Sequence, residues 1–499
     1  MDTPRYNLID EAWIPVADRG KASLKEIFAS RACRTLGGTP REKIALLKLL
    51  LAIAQAANTP ADTPAWAALG PDGMGKACLH YLERWRDAFY LHGQRPFLQM
   101  PVERAKMQPY GAIMPEIATG NTTVLTQIQH EPPVPDCLRA LLLVCEMSLC
   151  LGGKKTDSVC VLTPDYSKGK TASPGPGVCH MGLLHSFLTG QSILETVWLN
   201  LLTADTVAGA KIFPQGVGKP PWEEMPAGED CPVARALKGS LMGRLVPLAR
   251  FCLLEENGLH YTEGIVHPDY LEGVLDPSTA GDFSGTKPKM LWTDPEKRPW
   301  RSLTSLLAFL QAQKRQTGFD CLYLQAGLSR LPESGITHFG IWAGGLKVSR
   351  NAGEQYVSGL DDSVESEVNL DWGEIENEDW FPRLQEEMTA LEDMAKRLYS
   401  AIMRYFRQQH VEESSFARMG TGLFWELAEP LFQKLLDACA MPERLPELRR
   451  SYETLAFRAF DALCPHVTAR QIQAWGNARP RCFGKASSRS ARQTREDTR

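Results

Sequence analysis

The stretch LQEEMTALEDMAKRLYSAIMRYF (384–406) constrains the fold more than any other part of this chain. Leu384, Met388, Leu391, Ala395, Leu398, Ile402 and Tyr405/Phe406 recur at three- and four-residue spacing, which gathers them on one side of an α-helix. A stripe this long is stable in water only when other helices cover it. GTGLFWELAEPLFQKLLDACA (420–440), with a kink expected at Pro430, is one partner. LPELRRSYETLAFRAFDALC (445–464) is a second, through Leu448, Tyr452, Leu455, Ala459 and Leu463. A short fourth helix begins near TARQIQAW (468–475), with Thr468 as its cap. Connections of a few residues predict a C-terminal antiparallel four-helix bundle over 371–478, with an acidic linker at its start. The basic tail, 479–499, reads as disordered.

Residues 1–370 read as one large mixed α/β domain with long irregular loops, so the expected fold class is α+β. YNLIDEAWIPV (6–16) suggests a strand ended by Pro15, with Trp13 as a core anchor. Helical periodicity marks 40–57, with Pro40 at a favourable helix start, and 75–91. Residues 132–153 read as a helix opened by Pro135–Asp136 and stopped by Gly152–Gly153. An apolar run, SVCVL (158–162), reads as a strand, and SILETVWLNLLT (192–203) as another helix. Turn signals dominate 204–370, where THFGIWAGGLKV (337–348) suggests a strand leading into a turn.

The formal net charge of −4 argues against a free-standing nucleic-acid binder, but the distribution is lopsided. Thirteen acidic residues face Arg383 alone between Leu360 and Met394, a net of −12. Ala469–Arg499 carries eight basic and two acidic residues, a net of +6. Such asymmetry hints at polyanion contact, although on its own it is better accounted for by a solvated acidic linker and a disordered basic tail. The longest apolar stretch, 44–57, contains Lys48 and Gln55 and is too short for a bilayer, so no membrane association is expected. No secretory signal opens the sequence, and 13 cysteines without a CxxC pair suggest reduced thiols in the cytoplasm.

Residues 163–177, TPDYSKGKTASPGPG, raise the question of a phosphate-binding loop. Gly169-Lys170-Thr171 match the end of that motif, yet Pro164 stands where its first glycine belongs. Pro174 and Pro176 then prevent a helix from starting behind Thr171. Gly175 and Gly177 begin a dinucleotide pattern that fails at His180. A Cys/His- or metal-dependent hydrolase would draw on Cys179, His180 and His185, but no zinc-protease, deaminase or serine-hydrolase motif accompanies them. Packed, satisfied histidines explain the same residues. No metal and no cofactor are expected.

What remains is a surface for a polyanion. Gly152, Gly153, Lys154 and Lys155 follow a helix, and Lys168 and Lys170 lie in a glycine- and proline-rich stretch. Glycine lets backbone approach a duplex closely, and lysine adds a long charged donor that fits a minor groove. An ordinary solvent-exposed connector would carry the same residues.

Several segments together resemble the CasA family, the large subunit of the type I-E CRISPR Cascade surveillance complex. They are YNLIDEAWIPV, RWRDAFYLHGQRPFLQ (84–99), ATGN (118–121), the glycine-rich loop after a helix, LETVWLNLLT (194–203), LWTDPEKRPW (291–300), the GG turn at 344–345 and the C-terminal helices. The resemblance implies a non-catalytic subunit that recognises a protospacer-adjacent motif in duplex DNA, mainly from the minor groove. It implies crRNA, other Cascade subunits and a helicase–nuclease as partners, with a role in starting strand separation. On this resemblance the glycine loop falls on Gly152, Gly153, Lys154 and Lys155, with Lys168 and Lys170 in a neighbouring candidate. The lysine finger falls on Lys287 or Lys289. The wedge falls after Gly344-Gly345, with Lys347, Arg350, Asn351 and Gln355 as candidates. A loop near 119–134, including Asn121, would face the guide and neighbouring subunits. The alternative to a DNA-inspecting role is a purely architectural subunit.

Overall fold

The computed structural model describes residues 3–114, 134–150, 160–164, 166, 182–311, 318–348 and 363–483. Two compact units divide the chain, Met1–Val368 and Asn369–Arg499. Helices and small sheets are mixed, as the α+β reading expects, and the strands are short. In chain order they are β1 (Arg5–Asn7), β2 (Ile14–Val16), β3 (Gly20–Ala22), β4 (Tyr90–His92), β5 (His185–Thr189) and β6 (Arg250–Glu255). There follow β7 (Gly258–Glu263), β8 (Gly281–Asp282), β9 (Lys289–Met290), β10 (Phe319–Asp320), β11 (His338–Leu346) and β12 (Ser363–Asp371).

The first unit is organised around helix Pro40–Ala57. Thr39 accepts a hydrogen bond from the Glu42 amide while the Glu42 carboxylate accepts from the Thr39 amide, a capping box that fixes the start. Almost every face of this helix is buried, and it packs against helices Thr63–Arg84, Asp136–Ser148 and Ile193–Asn200 and against β11. Trp66 and Trp198 stack face to face, centroids 4.1 Å apart, each indole N–H donating to the other's backbone carbonyl. The Arg330 guanidinium lies 4.5 Å over the Trp66 ring and donates to Leu199 O and Leu201 O, satisfying carbonyls at the end of helix Ile193–Asn200.

Three local readings are corrected here. Residues 6–16 are two strands rather than one, because Asn7 Oδ1 accepts from the Ile9 amide and turns the chain. Pro15 sits inside β2, tolerated on a two-stranded edge. The helix expected over 75–91 runs Thr63–Arg84, interrupted at Gly70 (φ 58°), and 90–92 leaves it to pair with β1. The run 158–162 forms no strand over its described residues 160–162, where the Leu162 and Thr163 amides bind the buried Glu229 carboxylate.

In the second unit helix Trp380–Arg407 packs against helices Ser415–Ala428, Phe432–Ala440, Leu445–Leu463 and Ala469–Ala478. Leu384, Met388, Leu391, Ala395, Leu398, Ile402 and Tyr405 are all buried. Gly420 faces Ile402 closely enough that a Cβ there would stand 2.2 Å from its Cδ1, which sets how near the two helices lie. The expected kink at Pro430 is a 3-10 turn, Glu429–Leu431, and Thr468 forms a capping box with Gln471.

The acidic stretch is not a linker. Val364, Val368 and Leu370 are buried in β12 at alternating positions, which the intervening carboxylates had hidden. Glu365 pairs with Lys43 and accepts from the Trp342 indole, and buried Glu387 pairs with Arg449. The start of the basic tail is also ordered. Phe483 is buried against Phe457, and Arg479 binds Asp461.

Candidate nucleic-acid interface

Lys287 and Lys289 lie on a β-hairpin. Gly281 pairs with Met290 and Asp282 with Lys289, leaving 283–288 as the loop. Asp282 Oδ1 accepts from the Ser284 amide at 2.9 Å and the Ser284 hydroxyl at 2.5 Å, an Asx turn that starts the reversal. Both lysines are exposed, and Lys289 stands across the ladder from Asp282, whose carboxylate it attracts. Asp282, by contrast, is buried and its carboxylate is held below the usual range by the Ser284 hydrogen bonds.

A buried charge pair holds the hairpin's root. Lys48 Nζ lies 2.5 Å from Asp276 Oδ2, with side-chain exposures of 0% and 1%. Asp276 Oδ1 accepts from Ser278 N and Oγ, and His185 Nδ1 lies 2.8 Å from that hydroxyl. Since Ser278 Oγ donates to Asp276, His185 Nδ1 carries the proton and donates in turn. Burial alone would raise the Asp276 carboxyl, but the Lys48 ammonium holds it at about 2. Burial pushes His185 down to about 4, so the ring is neutral.

From this root the chain is tied to two further candidate segments. Leu184 N donates to Leu291 O at 2.9 Å and Thr293 N to Gly182 O at 2.8 Å, joining the hairpin's exit to the residues entering β5. β5 pairs with β11, and β11 ends just before Lys347, which is exposed. Gly182 has φ +107°, and a Cβ on it would lie 2.8 Å from Val348 Cγ2 and 3.5 Å from the Trp292 ring. A Cβ on Gly345 would meet Thr293 Oγ1 at 2.2 Å and Leu183 O at 2.9 Å. Gly182, Trp292 and Val348 therefore meet at one base. Gly182 is the first described residue after 167–181, Trp292 lies three residues past Lys289, and Val348 directly follows Lys347 and is the last described residue before Arg350.

Arg350, Asn351 and Gln355 lie outside the described residues, as do Gly152, Gly153, Lys154, Lys155, Lys168, Lys170 and Asn121. The two stems flanking the last group are tied together: buried Arg41 donates from Nε to Leu149 O at 3.1 Å and from Nη1 to Ile113 O at 3.4 Å. Its Nη2 pairs with the buried Glu146 carboxylate.

Of the hydrolase candidates, Cys179 and His180 are outside the described residues, and His185 is a core residue bound to Ser278. His260 and His267 are likewise occupied by Ala105 O and Pro247 O. Among the described residues no group of three His, Cys, Asp or Glu is placed to hold a metal, and no helix is long and apolar enough to cross a membrane. Two features escaped the sequence reading. Lys48 served only to exclude a bilayer span, although a lysine inside an apolar helix already demands a buried partner. The D-x-S turn of Asp282 and Ser284 was counted as irregular loop.

Comparison with known proteins agrees with this architecture. The family model for CRISPR-associated protein Cse1 matches residues 7–462. The CRISPR-associated protein CasA/Cse1 of Thermus thermophilus is 33% identical over 216 residues, and that match spans 40% of each chain. The crystal structure of Thermobifida fusca Cse1 has a TM-score of 0.72 at 20% identity, covering 95% of this chain and 94% of that one. A chain of a CRISPR RNA-guided surveillance complex has a TM-score of 0.68 at 15% identity, covering 96% and 99%. At these identities the structural likeness is one of fold. The family match runs over most of the sequence, and the chain belongs to the Cse1 family of CRISPR-associated proteins.

Proposed function

We propose that this chain is the large, non-catalytic subunit of a type I-E, crRNA-guided Cascade complex in the cytoplasm. In this reading it recognises a protospacer-adjacent motif in duplex DNA, chiefly from the minor groove, starts strand separation for the R-loop, and docks the helicase–nuclease. The observation that carries the reading is the shared base at Gly182, Trp292 and Val348, which roots the hairpin of Lys287 and Lys289 beside the chain that leads to the wedge candidates. A probe that must grip a groove and part its strands needs its contacts on one rigid foundation.

The physics of the groove supports this role. The minor groove separates A·T from G·C but little else, which suits a tolerant scan for related short motifs. Insertion of a wedge costs a few kcal/mol of unstacking, and guide pairing offsets it as the heteroduplex extends. A net charge of −4 is compatible with a subunit whose RNA-bearing partners supply much of the hold on DNA. The C-terminal unit, in this reading an antiparallel four-helix bundle, presents a second surface for the displaced strand or the nuclease.

The test is a mobility shift of duplex DNA by the assembled complex. Lys289→Ala and Lys154→Ala are each expected to weaken binding, to lower the salt slope by about 1, and to blunt motif preference. Unchanged affinity and preference in both variants would overturn the reading. Loss of assembly with intact DNA binding by whatever complex remains would favour the architectural alternative.

A further inference from the structure

Phe283 is the one aromatic among the exposed large apolar side chains of the described residues, 42% accessible at the start of the hairpin loop. Its ring does not hang free. A Cβ placed on Gly281 would lie 2.6 Å from Phe283 Cε2 and 3.0 Å from Met290 Sδ. Glycine at 281 thus makes room for the ring to settle onto the hairpin beside buried Met290. One side of the phenyl group is seated and the rest faces solvent. The same short hairpin carries Lys287 and Lys289, both exposed. The nearby Asp282 carboxylate is ionised and offset by Lys289, which stands across the ladder from it.

We propose that Phe283 is a stacking platform for duplex DNA, holding the face of a base or deoxyribose while Lys289 reaches into the groove and Lys287 binds a flanking phosphate. This deepens the DNA-inspecting reading and rests on it. The ring sits on the Gly281/Met290 face of the ribbon while Lys289, paired with Asp282, projects from the other face and Lys287 lies in the loop. That arrangement suits an occupant wrapping the hairpin, planar and apolar where it meets the ring and anionic to either side. A nucleic-acid strand has that chemistry, whereas an apolar protein surface has no use for the two exposed ammonium groups. Orientation comes from the fold: the Asx turn fixes the backbone at 282–284, and the space over Gly281 fixes the ring.

Covering Gly281 is the competing role for such a ring, and leucine would serve for that. The experiment therefore compares Phe283→Leu, Phe283→Ala and Phe283→Tyr with a Lys287→Ala/Lys289→Ala double variant, all in guide-loaded complex. Binding to a guide-matched, fluorescently labelled DNA duplex is measured at two salt concentrations, alongside the melting temperature of each chain and its guide-RNA content. Stacking predicts that leucine and alanine each lose about 5- to 100-fold in affinity, with tyrosine close to wild type and the salt slope unchanged. The lysine pair should lose affinity with a shallower salt slope. Wild-type affinity for Phe283→Leu beside a weakened lysine pair would overturn the platform while leaving the hairpin reading intact. Wild-type affinity for both would remove the hairpin from DNA contact altogether. Loss of guide RNA from the Phe283→Leu complex would also overturn the proposal, by placing the ring on the guide.

Discussion

Replacing Lys48 by methionine removes the ammonium of a fully buried pair and leaves the Asp276 carboxylate 1% exposed with no counter-charge at 2.5 Å. Methionine has nearly the same shape, so the cost is electrostatic rather than a cavity. Breaking a buried pair from one side costs about 3–5 kcal/mol. An unfolding entropy of about 2.1 cal/mol/K per residue gives ~0.8 kcal/mol/K for a unit of this size. The melting temperature should then fall by about 4–6 °C. Differential scanning calorimetry of the purified chain reads the shift. Lys48→Met/Asp276→Asn should recover most of the loss, since the asparagine oxygen still accepts from Ser278 and no charge is stranded. A single variant costing under ~1 kcal/mol, or a double variant no better than the single, would refute the idea that this pair secures the hairpin's root.

Gly182→Ala should destabilise by about 1–3 kcal/mol, because φ +107° disfavours any side chain and the new methyl would press on Val348; urea unfolding measures it, and a neutral result would refute the close base. Acidification from pH 7 should weaken the fold in order. His185 and His267 have pKa values of about 4 and about 3, lowered by burial, against about 6.5 in an unfolded chain. The unfolded state therefore takes up protons first, and their contribution, complete above pH ~6.5, is lost as pH falls toward 4 and then 3. Asp276, at about 2, contributes above pH ~4 and loses that contribution only below it. Urea titrations at pH 7, 6 and 5 should show stability falling by about two protons' worth per pH unit near pH 5, and a flat profile would contradict the neutral, buried state of both rings.

Much of the helical scaffold was legible because its signals are local. Thr39, Pro40 and Glu42 announce one helix start, and Thr468 with Gln471 another. The stripe from Leu384 to Tyr405 needs no partner to be recognised. The sheets were less legible. Tyr90–His92 follows a helical pattern in sequence yet pairs with Arg5–Asn7, a tertiary choice that overrides propensity. β12 alternates buried Val364, Val368 and Leu370 with carboxylates, so a charge count masked its period. Lys287 and Lys289 sit where turn chemistry puts a hairpin. The meeting of Gly182, Trp292 and Val348 joins residues far apart in sequence, and such pairing leaves no local mark.

The reciprocal tryptophans carry an evolutionary implication. Each indole serves the other's carbonyl as well as its face, so losing Trp66 takes from Trp198 its stacked ring and one of two donors to its carbonyl, and losing Trp198 takes from Trp66 a stacked ring and a donor. Single changes at either position should be purged as severely as the double change, which makes the pair epistatic. Substitution at the two sites is accordingly expected to be concerted across descendants of this sequence, with Arg330 drifting only after the rings have gone.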